Sequence, residues 1–252
     1  MAGTFCDTLC SRATHFGRCL GHGVKPHVVL LRRGDKELIV KSKRSKDSLF
    51  VRVVLSQWKS EELFSSNDFL HLLNHSISEG MFGGKDYPHP SVLEELLGEC
   101  DGDRNDIISH IEAVSCLRIV ATEEYLYYIM LHGTVGIPKV LGTCGNMFAV
   151  EKITPLEIQS STDHFNQNTW EKHAKIALSF LDIVEAFENT PHGKLYLCDV
   201  YSGNFGLEEH EDGTVRVKAI DLDISFFESK FPLLLREQSE SCLLYTSDAA
   251  DE

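Results

Sequence analysis

Three residues between Leu197 and Asp223, in LCDVYSGNFGLEEHEDGTVRVKAIDLD, carry oxygen side chains at a spacing that suits phosphoryl transfer. Asp199 is followed five places later by Asn204 in a short loop, and Asp221 closes an apolar strand, VKAID. In such a site the first Asp accepts the proton of the attacking hydroxyl, while the Asn and the second Asp hold Mg²⁺ on the phosphates. Lys41 ends another apolar strand, ELIVK, and fits the lysine that pairs with the α- and β-phosphates of ATP and with an acid on a helix. Asp68 and Glu62, at the start of the following helix, are the candidate acids, and Asp68 is the one carried forward. An exposed Asp/Asn loop, a plain hairpin and a surface lysine would contain the same residues, so the order of parts along the chain has to decide.

A second oxygen-rich stretch lies mid-chain. DGDRNDIISHIE, Asp101 to Glu112, has the ligand spacing of a calcium loop of the EF-hand type. Asp101, Asp103 and Asn105 fill positions one, three and five. Ile107 would offer its carbonyl at seven, Ser109 a contact through water at nine, and Glu112 the bidentate carboxylate at twelve. Ile108 is the apolar anchor at eight. Asp106 stands at position six, where Gly normally makes the sharp turn, but Asp tolerates the left-handed conformation better than most residues. No second loop of this kind is evident. A solvated acidic loop between two helices is the competing reading.

The elements that must position these groups follow from the apolar pattern. His27–Leu31 and Glu37–Lys43 read as strands joined by RRGDK, with Gly34-Asp35 at the turn. Leu49–Leu55 reads as a further strand. Ser66–Ile77 has helical spacing, with Phe69, Leu72, Leu73 and Ile77 on one face. Gly80–Pro90 is a loop. Ser91 and Glu94 form a capping box for VLEELLG. Helices are expected from Ser109 to about Ala121 and from Glu123 to Leu131. Gly136–Val150 gives two strands turning at Cys144-Gly145. Trp170–Phe187 is the strongest helix, capped at Asn168, with Ile176, Ala177, Phe180, Leu181, Val184 and Phe187 on one face.

Composition narrows the classes of function. With 252 residues, 42% hydrophobic and 25% charged, the chain is globular and can build a real core. A formal net charge of -14 argues against non-specific binding to nucleic acid or to an anionic membrane surface. No apolar run is long enough to span a bilayer, and the first residues lack the features of a signal peptide. Cys6, Cys10 and Cys19 cluster near the N-terminus and are the expected disulfide formers, which points to an oxidising compartment. Zinc is disfavoured, because the spacing C-x3-C-x8-C contains no CxxC pair. The end of the chain, CLLYTSDAADE, resembles a translated sequencing adapter, so 242–252 are expected to be an artefact. Without Asp248, Asp251 and Glu252 the charge moves from -14 to -11, and the chain stays acidic.

Taken together, CDTLCSRATHFGRCL, the VKSK strand, a calcium loop set among these strands and helices, GTCGNMFAVEKI and DVYSGN followed by AIDLD resemble the divergent protein-kinase-domain proteins of the FAM69 type. The resemblance covers nearly all of Gly3–Phe231. It implies an α+β, protein-kinase-like two-lobe fold with an EF-hand inserted in the small lobe and an incomplete large lobe. The implied divisions are a cysteine-rich segment 1–26, a small lobe 27–153 containing the EF-hand 91–121, and the start of a large lobe 154–241. It also implies ATP, Mg²⁺ and Ca²⁺ as cofactors and the lumenal side of the endoplasmic reticulum membrane as the location. The membrane anchor of that family is absent from this chain, and its acceptor substrate is not written in the sequence. Asn74 in NHS would be a glycosylation acceptor there.

Several positions depart from the kinase pattern. Leu197 and Cys198 replace the His and Arg of the catalytic loop, Asp221-Leu222-Asp223 replaces Asp-Phe-Gly, and no G-x-G-x-x-G precedes Lys41. The expected activity is transfer of the γ-phosphate of Mg-ATP to a hydroxyl, with this fragment itself a poor catalyst. The alternatives are a Ca²⁺-responsive pseudokinase and an unrelated EF-hand interaction protein.

Overall fold

The computed structural model describes residues 3–21, 27–42, 63–82, 90–101, 105–156 and 167–232. Its largest sheet is antiparallel throughout. It contains β1 (Thr14–Gly21), β2 (His27–Arg33), β3 (Lys36–Ser42), β6 (Val140–Cys144) and β7 (Met147–Glu151), in the order β1-β2-β3-β7-β6. The β2–β3 turn is the expected one. Arg33 pairs with Lys36, and Gly34 takes a φ of 58°, which an L side chain would resist. The strand expected at Leu49–Leu55 lies outside the described residues.

Alternation along β3 and β7 gives the sheet two apolar faces. Leu38, Val40 and Ala149 turn to one side, where Leu31, Phe5 and Leu9 complete a small core. Ile39, Phe148 and Val150 turn to the other and join the main core. The small core is closed by α1 (Cys6–Leu9), which a disulfide between Cys6 and Cys144 fixes to β6. The backbone approaches closely here. Phe5 donates its N–H to the Thr143 carbonyl at 2.8 Å, and a Cβ on Gly142 would stand 2.7 Å from the Thr4 hydroxyl. A bridge within the N-terminal cluster is therefore not what forms. Cys6 reaches 138 residues along the chain, and Cys10 and Cys19 are exposed and outside any bridge to it. Their tight spacing in sequence does not bring their side chains together, because α1 packs Cys6 inward while Cys19 lies on β1.

The main core is built around α5 (Glu123–Met130), in which every residue from Glu124 to Met130 is buried. A helix apolar all round belongs at the centre of a domain. Tyr125 and Tyr128 pack on Phe148 with ring centroids at 5.5 and 6.0 Å. Around it stand α2 (Ser66–Phe82), α3 (Pro90–Cys100) and α4 (His110–Val120), and a second disulfide joins Cys100 to Cys116. A two-stranded sheet pairs β4 (Leu63–Ser65) with β5 (Ile107–Ser109). The C-terminal part contains α6 (Gln167–Glu188), the sheet β11 (Val215–Ala219)-β10 (Phe205–Glu209)-β8 (Thr154–Pro155), and the antiparallel pair of β9 (Leu195–Leu197) with β12 (Ser225–Phe227).

Helix α6 corrects two expectations. It starts at Gln167, so Asn168 is its second residue, inside the helix and not its cap. Its packed face is Ile176, Ser179, Phe180, Ile183 and Phe187, whereas Leu181 and Val184, with Leu178 and Trp170, are exposed. Ser179 enters the buried row because its hydroxyl accepts the N–H of Val217 on β11 at 2.8 Å. Helical spacing alone admits either of two adjacent apolar rows, and that hydrogen bond with the Phe180–Phe205 contact selects one. No described helix is long and apolar enough to cross a membrane.

A disulfide spanning 138 residues acts mainly by restricting the unfolded chain. Cys6→Ser is expected to lower the unfolding free energy by about 2–4 kcal/mol, measured by urea denaturation under non-reducing conditions. No loss would mean that α1 is held by packing alone.

Candidate nucleotide and metal site

Lys41 is the hub of the site. It lies on β3 and points to the α5 side of the sheet, where it is only 7% exposed. Its ammonium forms an ion pair with Glu124, which is 1% exposed, and donates to the Ile220 carbonyl at 2.6 Å and to the Tyr128 hydroxyl at 3.4 Å. Tyr128 in turn donates to Glu124 at 3.0 Å. A lysine with little access to water needs such a set of acceptors, since an unpaired buried charge is costly.

The acid is therefore Glu124, not Asp68. Asp68 is exposed at the start of α2, where its carboxylate accepts from the Ser65 hydroxyl at 2.6 Å. Glu62 lies outside the described residues. Sequence order suggested the first helix after β3, but the intervening helices are an insertion as far as this pair is concerned. One signal was available: EEYLYYIM is apolar on every face except for its two acids, and an acid inside such a helix needs a buried cation.

Asn204 meets Asp199 through its side chain and the residue before Asp221 through its backbone. Asn204 is buried and its amide nitrogen donates to the Asp199 carbonyl at 2.8 Å and to the Asp199 carboxylate at 2.9 Å. The Asn204 carbonyl accepts from Ile220 at 2.8 Å, which ties the Asp199–Asn204 loop to the segment between β11 and Asp221. Asp199 itself is exposed. Asp221 meets two carboxylates that the sequence did not assign, Glu124 and Asp223, with one oxygen of each inside a 4.8 Å cluster. Burial pushes the Glu124 carboxyl up, Lys41 opposes this, and Asp223 and Asp221 push it further up. The side-chain oxygen of Asn204 is buried and makes no hydrogen bond. Three carboxylates gathered in this way fit a hard divalent cation. Mg²⁺ is thus compatible with the residues present. Lys41, Tyr128, Gly203 and Asp221 line one cleft with Val28, Ile39 and Val150, with a volume of about 540 Å³.

The Asp101–Glu112 loop is described at both ends, while Asp103 lies outside the described residues. Asp101 is buried, and its carboxylate oxygens accept the N–H groups of Asn105 at 3.2 Å and Asp106 at 3.1 Å. Asp106 has a φ of 62°, so it adopts the left-handed turn usually given to Gly at this position. Asn105 accepts from Ile107 at 2.8 Å. Ser109 caps α4 in a capping box with Glu112, whose carboxylate accepts from the Ser109 hydroxyl at 2.6 Å. Ile107 is exposed and Ile108 buried, as seventh and eighth positions require. The turn and the Asp101 contacts fit a calcium loop.

Comparison with known proteins decides the family. Residues 116–246, just over half of the 252, match the family model described as the protein-kinase domain of FAM69. The chain belongs to that family. Among solved structures, the Rv3197–erythromycin complex from Mycobacterium tuberculosis is similar at 16% identity and a TM-score of 0.33, over 93% of this chain and 54% of that one. The chain thus spans about half the length of that structure.

Within the FAM69 framework the departures acquire positions. Leu222, in place of Phe, is fully buried in the main core. Asp223, in place of Gly, donates its N–H to the Asp221 carboxylate at 3.1 Å. Cys198, in place of Arg, is exposed, and its N–H is bound by the Ile224 carbonyl at 2.9 Å. Glu124→Ala is expected to cost about 3–5 kcal/mol in urea denaturation, because it strands the buried Lys41 charge. Asp68→Ala should change stability by less than about 1 kcal/mol, as for an exposed helix start. Equal losses would contradict the assignment of Glu124.

Proposed function

We propose that this FAM69-family chain forms the nucleotide end of a kinase that binds Mg-ATP and transfers its γ-phosphate to a hydroxyl in the secretory pathway. The observation that carries the reading is the Lys41 ammonium held between Glu124 and the Ile220 carbonyl, in one cleft with Asp221. Lys41 orients the phosphates. Asn204 and Asp221, with Asp223 and Glu124 close by, are the groups that would hold Mg²⁺, which when bound neutralises charge on the phosphates. Asn204 fixes one Asp199 oxygen. Asp199 accepts the proton of the acceptor hydroxyl as that oxygen bonds to the γ-phosphorus and the bond to the bridging oxygen breaks. The acceptor is a hydroxyl compound of unassigned class.

Calcium at Asp101–Glu112 belongs to the same reading. Asp101, Asp103, Asn105, Glu112 and the Ile107 carbonyl supply the oxygens, and Ser109 acts through water. Two disulfides support an oxidising compartment such as the endoplasmic reticulum lumen, with attachment to its membrane through an anchor outside this chain. A second reading, a calcium-responsive pseudokinase, is favoured by Asp223, which removes the conformational freedom of the usual Gly beside the metal-binding Asp.

Thermal unfolding with Mg-ATP tests both. A ligand at 100 times its dissociation constant stabilises by about 2.7 kcal/mol, so wild type should unfold several degrees higher and Asp221→Ala should lose the shift. No shift in wild type would remove the nucleotide from the proposal. A shift without transfer of labelled phosphate would favour the pseudokinase.

A further inference from the structure

The sheet between β4 and β5 is centred on a residue pair that sequence spacing makes meaningful. Phe64 stands opposite Ile108, with Leu63 opposite Ser109 and Ser65 opposite Ile107. Ile108 is position eight of the calcium loop. Counting by the same scheme, with Phe64 at eight, Ser65 falls at nine and Asp68 at twelve of a second twelve-residue segment, QWKSEELFSSND, Gln57 to Asp68.

The described half of that segment repeats the helix start, the two hydroxyl contacts and the buried positions of the calcium loop. Helix α4 begins at position ten with His110, and α2 begins at position ten with Ser66. The Ser109 hydroxyl donates to the Glu112 carboxylate at 2.6 Å and accepts its N–H at 3.3 Å. The Ser65 hydroxyl donates to the Asp68 carboxylate at 2.6 Å and accepts its N–H at 3.2 Å. Positions thirteen and seventeen are fully buried in both, as Ala113 and Leu117 in one and Phe69 and Leu73 in the other. Antiparallel pairing about two equivalent residues relates the two strand–helix units by a local two-fold axis.

We propose that β4 and α2 are the exiting half of a second hand, paired with the calcium loop through Phe64 and Ile108, and that this hand takes no calcium. It rests on the calcium reading of Asp101–Glu112. Counted along the sequence, Gln57 and Lys59 fall at positions one and three, where a calcium loop needs acids. The second hand instead holds the strand of the first. Pairing through β4 fixes the Ile107 backbone, whose carbonyl is a ligand, before any ion arrives. Asp68, which order along the chain offers to Lys41, keeps the place of the twelfth-position carboxylate.

The test restores the missing ligands. The 252-residue chain and a variant carrying Gln57→Asp, Lys59→Asp, Glu62→Gly and Asp68→Glu are titrated with CaCl₂ in a calorimeter, with far-ultraviolet circular dichroism as the check on folding. The variant is expected to take up one more Ca²⁺ per chain than wild type, two against one. A folded variant that gains no ion overturns the pairing, whatever wild type takes up. Wild type binding none while the variant binds one keeps the paired hand and sinks the calcium reading. If the variant does not fold, Phe64→Ala carries the test. It should weaken calcium binding by about tenfold, within the usual range for coupled sites, and unchanged affinity overturns the proposal.

Discussion

A lysine and a glutamate buried together fix the centre of this molecule. Lys41 can leave water only if an anion follows it, and Glu124 can do so only if a cation does. Each is carried by a different kind of element, a strand in the large sheet and a helix with no solvent face. Their meeting therefore sets how the sheet lies on α5. The Ile220 carbonyl adds a third element, because Lys41 also holds the strand that leads into Asp221. Three parts far apart in sequence thus share one charge, and the cleft is a product of that sharing.

The same economy explains the carboxylate cluster. Glu124 satisfies Lys41 on one side and faces Asp221 and Asp223 on the other. Three acids and one lysine leave an excess of negative charge in a partly buried place. Burial and the neighbouring acids hold the Glu124 carboxyl up, and a divalent cation bound there would relieve the repulsion among them. The departure from Asp-Phe-Gly therefore changes the charge of the site as well as the freedom of its backbone.

Much of this was legible in the chain. Lys41, Asp199, Asn204 and Asp221 could be placed because each sits at the end of an apolar strand or in a tight loop, where local pattern fixes position. The turn at Gly34 and the strands around Cys144 were local in the same way. What escaped was pairing across the fold. Glu124 needs contact over 83 residues, Cys6 over 138, and the strand at Leu63–Ser65 is too short to announce itself by alternation. The face of α6 was misjudged because two adjacent rows are both apolar, and only the partner elements distinguish them.

The bridge between Cys100 and Cys116 ties the helix entering the Asp101–Glu112 loop to the helix leaving it. Calcium sensors of this class signal by swinging those two helices apart to bare an apolar groove. A covalent strut across the loop removes that freedom. Under the proposed calcium reading, an ion seated there would stiffen what is already closed and would uncover no surface. The helix that leaves the loop is followed, after Ala121 and Thr122, by the one that carries Glu124. The bridged loop and the base of the cleft are thus carried by consecutive helices, two residues apart.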